Sequence, residues 1–303
     1  MNQVTLSKEY RFEGKGLHTG RYAHVVVCPA PADTGIRFIR TDIGDDAVVD
    51  ALAGNVCSTA RSTEISCGSA SVRTIEHILS ALTGLGIDNA IVRIDSEEMP
   101  ILDGSARLYV EAMAEDPLVE QDAGRKWFIP DKPIRVSDDR TGSYIEIKPC
   151  PETRYSSTID FNSRVLGVQT AYWSGGREYT EELAPCRTFC FFHEIKKLLL
   201  LGMVKGGDLD NAIVVVEKPI GRFYLGLMAK LLRQPLVTVT PEGYLSNLTL
   251  RFPDECGRHK LLDLIGDLRL SGGFLKAEIV AYKPGHRLNT RAAKEIGKMI
   301  KQN

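Results

Sequence analysis

One stretch of the chain combines apolar and polar residues with helical spacing: His259-Lys260-Leu261-Leu262-Asp263-Leu264-Ile265-Gly266-Asp267. An imidazole and two carboxylates stand at positions i, i+4 and i+8, and a helix of about 3.6 residues per turn places all three on one face. Leucine and isoleucine occupy the other faces, as in a helix that is packed into a core. The stretch therefore predicts a buried helix with one polar stripe, and a metal ion is the first candidate for what the stripe binds.

The composition is that of an ordinary globular protein. The 303 residues are 43% hydrophobic and 25% charged, which allows two domains or one large one. The formal net charge of -1 gives no sign of a nucleic-acid partner. No apolar run approaches the roughly 18–20 residues that span a bilayer, and the N-terminus lacks a secretory pattern. Seven cysteines without a Cys-x-x-Cys pair predict reduced thiols in a cytoplasmic protein.

Strand-like alternation and helical periodicity occur in both halves of the chain, which predicts an α+β fold with two domains. A charged, proline-bearing stretch at Gln121–Pro133 separates them, so the predicted domains are 1–124 and 125–303. The first domain is predicted to contain strands at Val4–Phe12, Ala23–Cys28, Ile36–Thr41 and Ala90–Ile94, and helices following an N-cap at Thr74 and at Ala106–Ala114. The second is predicted to contain strands at Ser143–Lys148, Tyr155–Phe161, Ala212–Val216 and Leu275–Tyr282, and helices at Glu194–Leu201, Phe223–Arg233, Glu255–Leu270 and Arg291–Lys301.

A second candidate metal ligand is His77, which follows Glu76 at the start of a predicted helix. The pair suits a metal ligand beside a proton acceptor, but taken alone it is better explained by Glu76 as an acid that complements the helix dipole and by His77 as a surface or packed imidazole. Together His77, His259 and Asp263 would supply two nitrogens and one oxygen, which leaves a fourth tetrahedral position for water. Zinc in such a site lowers the pKa of water from about 15.7 to about 7.

Other polar residues have both a chemical and a structural interpretation. His286, which follows Gly285, could be a general acid presented from a loop or an ordinary turn residue, and Asp267 could orient it and raise its pKa. Thr188 could donate to a developing oxyanion or be a strand threonine. Lys260 is predicted to point away from the ligand face, toward a phosphate or solvent.

Two apolar features are equally open. Leu198–Val204 is apolar on all sides, so it predicts either a buried helix or a wall for a lipid chain. Phe161 is either a core aromatic or a stacking platform.

A set of motifs resembles the zinc-dependent UDP-3-O-acyl-N-acetylglucosamine deacetylases, which catalyse the committed step of lipid A synthesis. The motifs span nearly the whole chain in the order typical of the family, which is more specific than any one of them. They are Gly16–Gly20, Thr74–His77, Gly84–Asn89, Pro100–Ala106, Arg187–Phe189, Gly206–Ala212, Arg251–Phe252, Arg258–Lys260 with Asp263 and Asp267, and Gly285–His286 with Leu288–Asn289.

The resemblance implies a role for each candidate residue. Zinc is bound by His77, His259 and Asp263, and Glu76 is the general base. His286 stabilises the oxyanion and protonates the leaving amine, and Asp267 lies behind it. Thr188 is the second donor to the oxyanion. Three others contact the sugar nucleotide or stack near uridine: Lys260, Phe189 and Phe161.

The resemblance also implies the architecture and the substrate. Each domain is mainly an antiparallel sheet layered with helices, the site lies at the domain interface, and the substrate is a UDP-sugar lipid whose acyl chain runs along an insert near 189–216. Two departures are Cys190, where many members have glycine, and a long Glu217–Leu250 segment that resembles a branch sometimes fused to a hydroxyacyl-carrier-protein dehydratase. The alternatives are a non-catalytic lipid or nucleotide binding module, or a zinc deacetylase for a different substrate.

Overall fold

The computed structural model describes residues 1–195, 205–208, 210–232 and 235–300. Strands in mainly antiparallel sheets and a smaller number of helices confirm the predicted α+β class. Across these ranges, every helix is too short or too polar to cross a membrane. The predicted division at residue 124 stays a prediction, although each of the two large sheets takes its strands from one side of that point.

The sheet of the N-terminal half contains five strands in the order β2-β3-β9-β4-β5, with β4 and β9 parallel and the other pairs antiparallel. A three-stranded antiparallel sheet, β6-β7-β8, and the antiparallel pair β1-β10 complete this half. The strands are β1 (Asn2–Thr5), β2 (Tyr10–Lys15), β3 (Tyr22–Pro29), β4 (Ile36–Arg40), β5 (Val48–Asp50), β6 (Val56–Ser58), β7 (Glu64–Cys67), β8 (Ala70–Arg73), β9 (Ala90–Ile94) and β10 (Val119–Gly124).

The sheet of the C-terminal half repeats the same topology in the order β12-β13-β19-β14-β15, again with one parallel pair, β14-β19. Two short parallel pairs, β11-β18 and β16-β17, flank it. The strands are β11 (Trp127–Phe128), β12 (Ile134–Asp138), β13 (Ser143–Pro149), β14 (Arg154–Asp160), β15 (Val168–Trp173), β16 (Phe189–Phe191), β17 (Ile213–Val215), β18 (Phe274–Leu275) and β19 (Ala277–Tyr282).

The helices provide most of the contact between the two halves. The longer ones are α1 (Glu76–Gly84), α2 (Arg107–Ala114), α3 (Arg222–Leu232), α4 (Glu255–Arg269) and α5 (His286–Ile300), with shorter helical turns at Ala53–Asn55, Tyr179–Leu183 and 192–195. Helix α4 packs on α1, on α5 and on strands β14 and β15. Its leucines and isoleucine are buried in one apolar core with residues from both sheets, which confirms the buried helix predicted there.

Gly266 allows α1 and α4 to approach closely. A Cβ at this position would lie 2.1 Å from the backbone oxygen of Glu76 and 3.1 Å from the backbone nitrogen of Ser80. A side chain of any size would therefore collide with backbone, which cannot move as a side-chain tip can. The glycine thus brings the polar stripe of α4 next to Glu76 and His77.

We expect Gly266→Ala to lower the free energy of unfolding by about 3 kcal/mol, the upper part of the usual range for overpacking. Chemical denaturation measures the change. Gly226→Ala on α3 is the matched control, because the nearest atom to its added Cβ is 4.0 Å away. Gly226→Ala should leave the free energy of unfolding unchanged or raise it by about 0.5–1 kcal/mol. Equal stability of the two variants would contradict the proposed role of Gly266 in the helix contact.

Three secondary-structure predictions were wrong. The strand predicted at Val4–Phe12 is two strands, β1 and β2, because the polar residues 7–9 interrupt it and the two pieces pair with different partners. Thr74 is not an N-cap: it has φ of 57°, and its hydroxyl donates to Glu98. Strand β10, which overlaps the start of the polar boundary stretch, was not predicted, because it is an exposed strand without strong apolar alternation.

The last helix begins at His286 and not at Arg291. Its first turn contains Asn289 and Thr290, which break the apolar pattern but are buried through hydrogen bonds to Asp267 and to the His286 carbonyl. The predicted leucine run at Leu198–Val204 lies outside the described residues, as do residues 196–201 of the helix predicted at Glu194–Leu201.

Candidate active site

Three of the predicted site residues come together as a candidate metal centre. One ligand atom from each of His77, His259 and Asp263 lies within 4.8 Å of the others, and all three side chains are buried. The Nε2 atoms of His77 and His259 lie 3.7 and 3.5 Å from Oδ1 of Asp263. Helix α1 supplies the first ligand and α4 the other two, so the close helix contact assembles the group.

Neighbouring groups orient two of these ligands toward a common point. The carbonyl of Cys186 lies 3.0 Å from Nδ1 of His259, which leaves Nε2 facing the group. Lys260 donates a hydrogen bond to Oδ2 of Asp263 at 2.6 Å. The prediction that Lys260 points away from the ligand face was therefore wrong. Side chains three residues apart on a helix are neighbours, so Lys260 lies beside Asp263. Oδ1 of Asp263 is buried and has no hydrogen-bond partner among the described residues. An orphaned carboxylate oxygen between two imidazole nitrogens fits a metal ligand set of two nitrogens and one oxygen.

The protonation preferences favour metal binding. Burial is the main cause that lowers the pKa of His77, to about 3, and it also lowers the pKa of His259, so both rings are neutral at pH 7. Burial opposes ionisation of Asp263, but His259 and Lys260 outweigh it and hold the pKa of that carboxyl below its usual range. Neutral imidazoles and an ionised carboxylate are the forms that coordinate metal.

Glu76 lies at the first position of α1, beside the metal group. Its Oε2 accepts a hydrogen bond from the backbone N–H of Thr63 at 3.1 Å, and its Oε1 lies 3.9 Å from Nε2 of His286. Burial raises the pKa of Glu76 to about 8, against the opposing effect of His286. The group therefore changes protonation state near neutral pH, and its ionised form can accept a proton.

His286 and Asp267 form a buried pair behind this carboxylate. Nδ1 of His286 lies 2.9 Å from Oδ2 of Asp267, and the same oxygen accepts a hydrogen bond from Nδ2 of Asn289. The other oxygen of Asp267, Oδ1, accepts a hydrogen bond from the hydroxyl of Thr63 at 2.5 Å. Burial alone would lower the pKa of His286, but Asp267 and Glu76 outweigh it and raise that pKa to about 9. The ring is therefore a protonated donor whose Nε2 faces Glu76 and Asp263.

A cavity of about 350 Å³ unites these groups. All the predicted site residues line it except Asp267, which lies behind His286. An aromatic cluster forms one wall, in which Phe161 meets Phe189 edge to face at 5.6 Å and remains 44% exposed. Nζ of Lys260 lies 5.8 Å from the centre of the Phe189 ring. The wall combines a cation with aromatic faces, which is suited to a ring-bearing anionic ligand.

Thr188 is held at the cavity by a buried ion pair next to it in sequence. Arg187 donates from Nε and from its backbone N–H to Oε1 of Glu255, at 2.8 and 3.0 Å. The two side chains are only 5% and 0% exposed, and Glu255 is the first residue of α4. The pair therefore fixes strand β16 to the start of the helix that carries His259 and Asp263.

We expect Glu255→Ala to lower the free energy of unfolding by about 3–5 kcal/mol, because it leaves the guanidinium of Arg187 buried without its partner. Denaturant titration measures the loss. Glu182→Ala is the control, because its pair with Arg258 is exposed and should be worth less than about 1 kcal/mol. Similar losses in the two variants would show that burial does not decide the cost.

Glu98 and His18, which were not among the predicted site residues, shape the cavity. Glu98 is fully buried and accepts hydrogen bonds from the backbone N–H groups of His18 and Thr19 at 2.8 and 2.7 Å. Gly16 permits this wrapping, since a Cβ there would lie 2.5 Å from Oε2 of Glu98. The wrapped loop presents His18 to the cavity, where its buried Nε2 has no partner among the described residues. The glycine-flanked motif Gly16–Gly20 was the available signal.

Comparison with known proteins gives consistent similarities over the whole chain. The chain is 40% identical to a bifunctional enzyme LpxC/FabZ of Porphyromonas gingivalis and 38% identical to one of Bacteroides thetaiotaomicron, over 99% of its own length and 65% of theirs. It is 39% identical to the UDP-3-O-acyl-N-acetylglucosamine deacetylase of Trichormus variabilis, over 98% of both chains. It thus spans about two thirds of the length of the bifunctional relatives.

The sequence model of the LpxC family, described as UDP-3-O-acyl N-acetylglycosamine deacetylase, matches residues 3–222 and 225–298. These matched ranges contain α1, α4 and the first residues of α5, and so they include all the residues that line the cavity. This chain therefore belongs to the UDP-3-O-acyl N-acetylglycosamine deacetylase family.

Proposed function

We propose that this chain is a zinc-dependent amidohydrolase that removes the N-acetyl group of UDP-3-O-acyl-N-acetylglucosamine and releases acetate and a free amine. One observation carries the proposal: a proton acceptor and a proton donor, Glu76 and His286, face the cavity beside the three buried metal-ligand side chains. The family and its named relatives support the substrate. Lipid A biosynthesis and a cytoplasmic location follow from the same assignment as proposals.

The proposed cofactor is held by His77, His259 and Asp263, whose donor set of two imidazoles and a carboxylate is typical of catalytic zinc. When bound there, zinc would polarise an amide carbonyl and lower the pKa of a coordinated water. Oδ2 of Asp263 stays on Lys260, so that Oδ1 is available to the ion.

The remaining groups divide the proton transfers. Glu76 accepts the proton of the attacking water on Oε1, because Oε2 is already held by Thr63. Nε2 of His286 donates to the oxygen on which charge develops and then protonates the leaving amine, while Asp267 holds Nδ1. Thr188, which immediately precedes β16, supplies a second donor to that oxygen.

The substrate contacts come from the aromatic wall. We assign Lys260 and Phe189 to the sugar nucleotide, and Phe161, whose ring is partly exposed at the cavity, to a stack near uridine. The acyl chain is assigned to the insert near 189–216, of which β16 and β17 are described.

Acetate release from three substrates tests this assignment. The full UDP-linked acyl substrate should be hydrolysed fastest, and versions without the acyl chain or without UDP should lose most of kcat/KM. Equal rates on all three would favour a zinc deacetylase of another substrate. Tight binding of the full substrate with no acetate released, unchanged after replacement of Glu76 and His286, would favour a non-catalytic binding module.

A fusion partner is a separate part of the proposal. The relatives from Porphyromonas gingivalis and Bacteroides thetaiotaomicron carry a bifunctional name, and this chain matches 65% of each. Fusion to a dehydratase unit in the full-length protein is therefore proposed on the names of those relatives.

A further inference from the structure

Thr63 contacts both members of the proposed proton-transfer pair without lining the cavity. It is 0% exposed and lies in the loop between β6 and β7. Its backbone N–H donates to Oε2 of Glu76 at 3.1 Å, and its hydroxyl donates to Oδ1 of Asp267 at 2.5 Å. The same hydroxyl oxygen lies 3.3 Å from Nδ1 of His286. The proposed function uses its backbone N–H at Glu76 but assigns no role to its hydroxyl.

The hydroxyl determines how the Asp267 carboxylate is oriented. Oδ2 of Asp267 accepts hydrogen bonds from His286 and Asn289. Within the described parts of the chain, Thr63 is the donor to Oδ1. With donors on both oxygens, the carboxylate cannot rotate about its Cβ–Cγ bond without breaking a short hydrogen bond. The orientation of Asp267 in turn fixes the imidazole of His286, because that ring is bonded to Oδ2.

The backbone N–H of Thr63 acts on the other member of the pair. It occupies Oε2 of Glu76 and so leaves Oε1 to face Nε2 of His286, at 3.9 Å. Glu76, Asp267 and His286 belong to three different helices, α1, α4 and α5. One loop residue therefore connects groups that three separate helices carry.

We propose that Thr63 is a positioning residue that sets the relative placement of Glu76 and His286 and thereby the rate of the chemical step. It acts through hydrogen bonds to Glu76 and to Asp267, which holds His286, and it does not line the cavity. The inference rests on the proposed function for its kinetic consequence. Its structural consequence, a fixed Asp267 carboxylate, is independent of that function.

The test compares Thr63→Val, which keeps the shape and the backbone N–H, with Thr63→Ser, which keeps the hydroxyl. Thr83→Val is the matched control, because Thr83 is a buried threonine on α1 whose hydroxyl donates to its own helix, at the carbonyl of Leu79. We expect Thr63→Val to lower kcat by about 10–100-fold, the usual effect of a partner that orients a site residue. KM and bound metal should stay unchanged, and Thr63→Ser and Thr83→Val should keep the parent kcat. If Thr63→Val does not fold, Thr63→Ala removes the same hydroxyl and should give the same loss.

Three results would overturn the proposal: an unchanged kcat in Thr63→Val, an equal loss in Thr63→Ser, or a loss explained by missing metal. A crystal structure of Thr63→Val provides a readout without activity, since we expect the Asp267 carboxylate to rotate and its bond to His286 to lengthen. An unmoved carboxylate contradicts the inference even if the parent is inactive. Absence of acetate release by the parent contradicts the proposed function instead.

Discussion

Replacing Glu76 with glutamine should lower the rate of acetate release by about 10²–10⁴-fold while the protein keeps its metal. The amide has nearly the shape of the carboxylate but cannot accept a proton. The metal ligands are other residues, so the candidate metal group remains complete. Metal analysis of the purified variant beside single-turnover kinetics measures both quantities.

His77→Ala is the matched comparison, because it removes a ligand from the adjacent position of the same helix. It should lose both metal and turnover. If the two variants lost metal equally, the division between a base and a ligand would be wrong.

Replacing His286 with glutamine should also lower acetate release by about 10²–10⁴-fold, since the ring is proposed as the proton donor. The pH profile gives the more specific result. Asp267 and Glu76 outweigh burial and raise the pKa of His286 to about 9. Because the required form is the protonated one, activity of the parent should fall as the pH rises through that value and not near the ordinary value of about 6.5.

The fall at high pH should be absent in His286→Gln, whose remaining activity has no such group to lose. Retention of the same alkaline decline in this variant would assign the titration to another residue. Asn289→Ala is a further comparison, because it removes one donor to Asp267 but leaves the imidazole in place. It should shift the alkaline decline without abolishing it.

The helix with the polar stripe was predictable because its evidence is local. His259, Asp263 and Asp267 recur at helical spacing among leucines, and burial of those leucines decides which face remains for chemistry. The division of that stripe is also visible in the structure: the first two side chains face the metal group, and the third faces His286.

The meeting of His77 with this stripe was not predictable from spacing. It depends on a close crossing of α1 and α4, and Gly266, which permits the crossing, carries no chemical signal in the sequence. The sequence joins the two helices only through ligand chemistry, since His77, His259 and Asp263 complete a set of two nitrogens and one oxygen, and through the resemblance to a known family.

Residues that act through the backbone were missed for a similar reason. Thr63 contributes a main-chain N–H and a hydroxyl from an irregular loop, where no amphipathic periodicity marks it. The direction of the Lys260 side chain was predicted wrongly, because its i, i+3 contact with Asp263 is favoured over a position in solvent. The contacts of Thr63 are tertiary hydrogen bonds, which local patterns do not encode, whereas the contact of Lys260 lies within its own helix.

The proposed function requires that this cavity hydrolyses an amide with a metal held by His77, His259 and Asp263. Acetate release from UDP-3-O-acyl-N-acetylglucosamine, measured before chelation, after chelation and after zinc is restored, tests it most directly. Acetate release should be lost on chelation and should recover with about one equivalent of zinc. Full activity of the metal-free protein would contradict it.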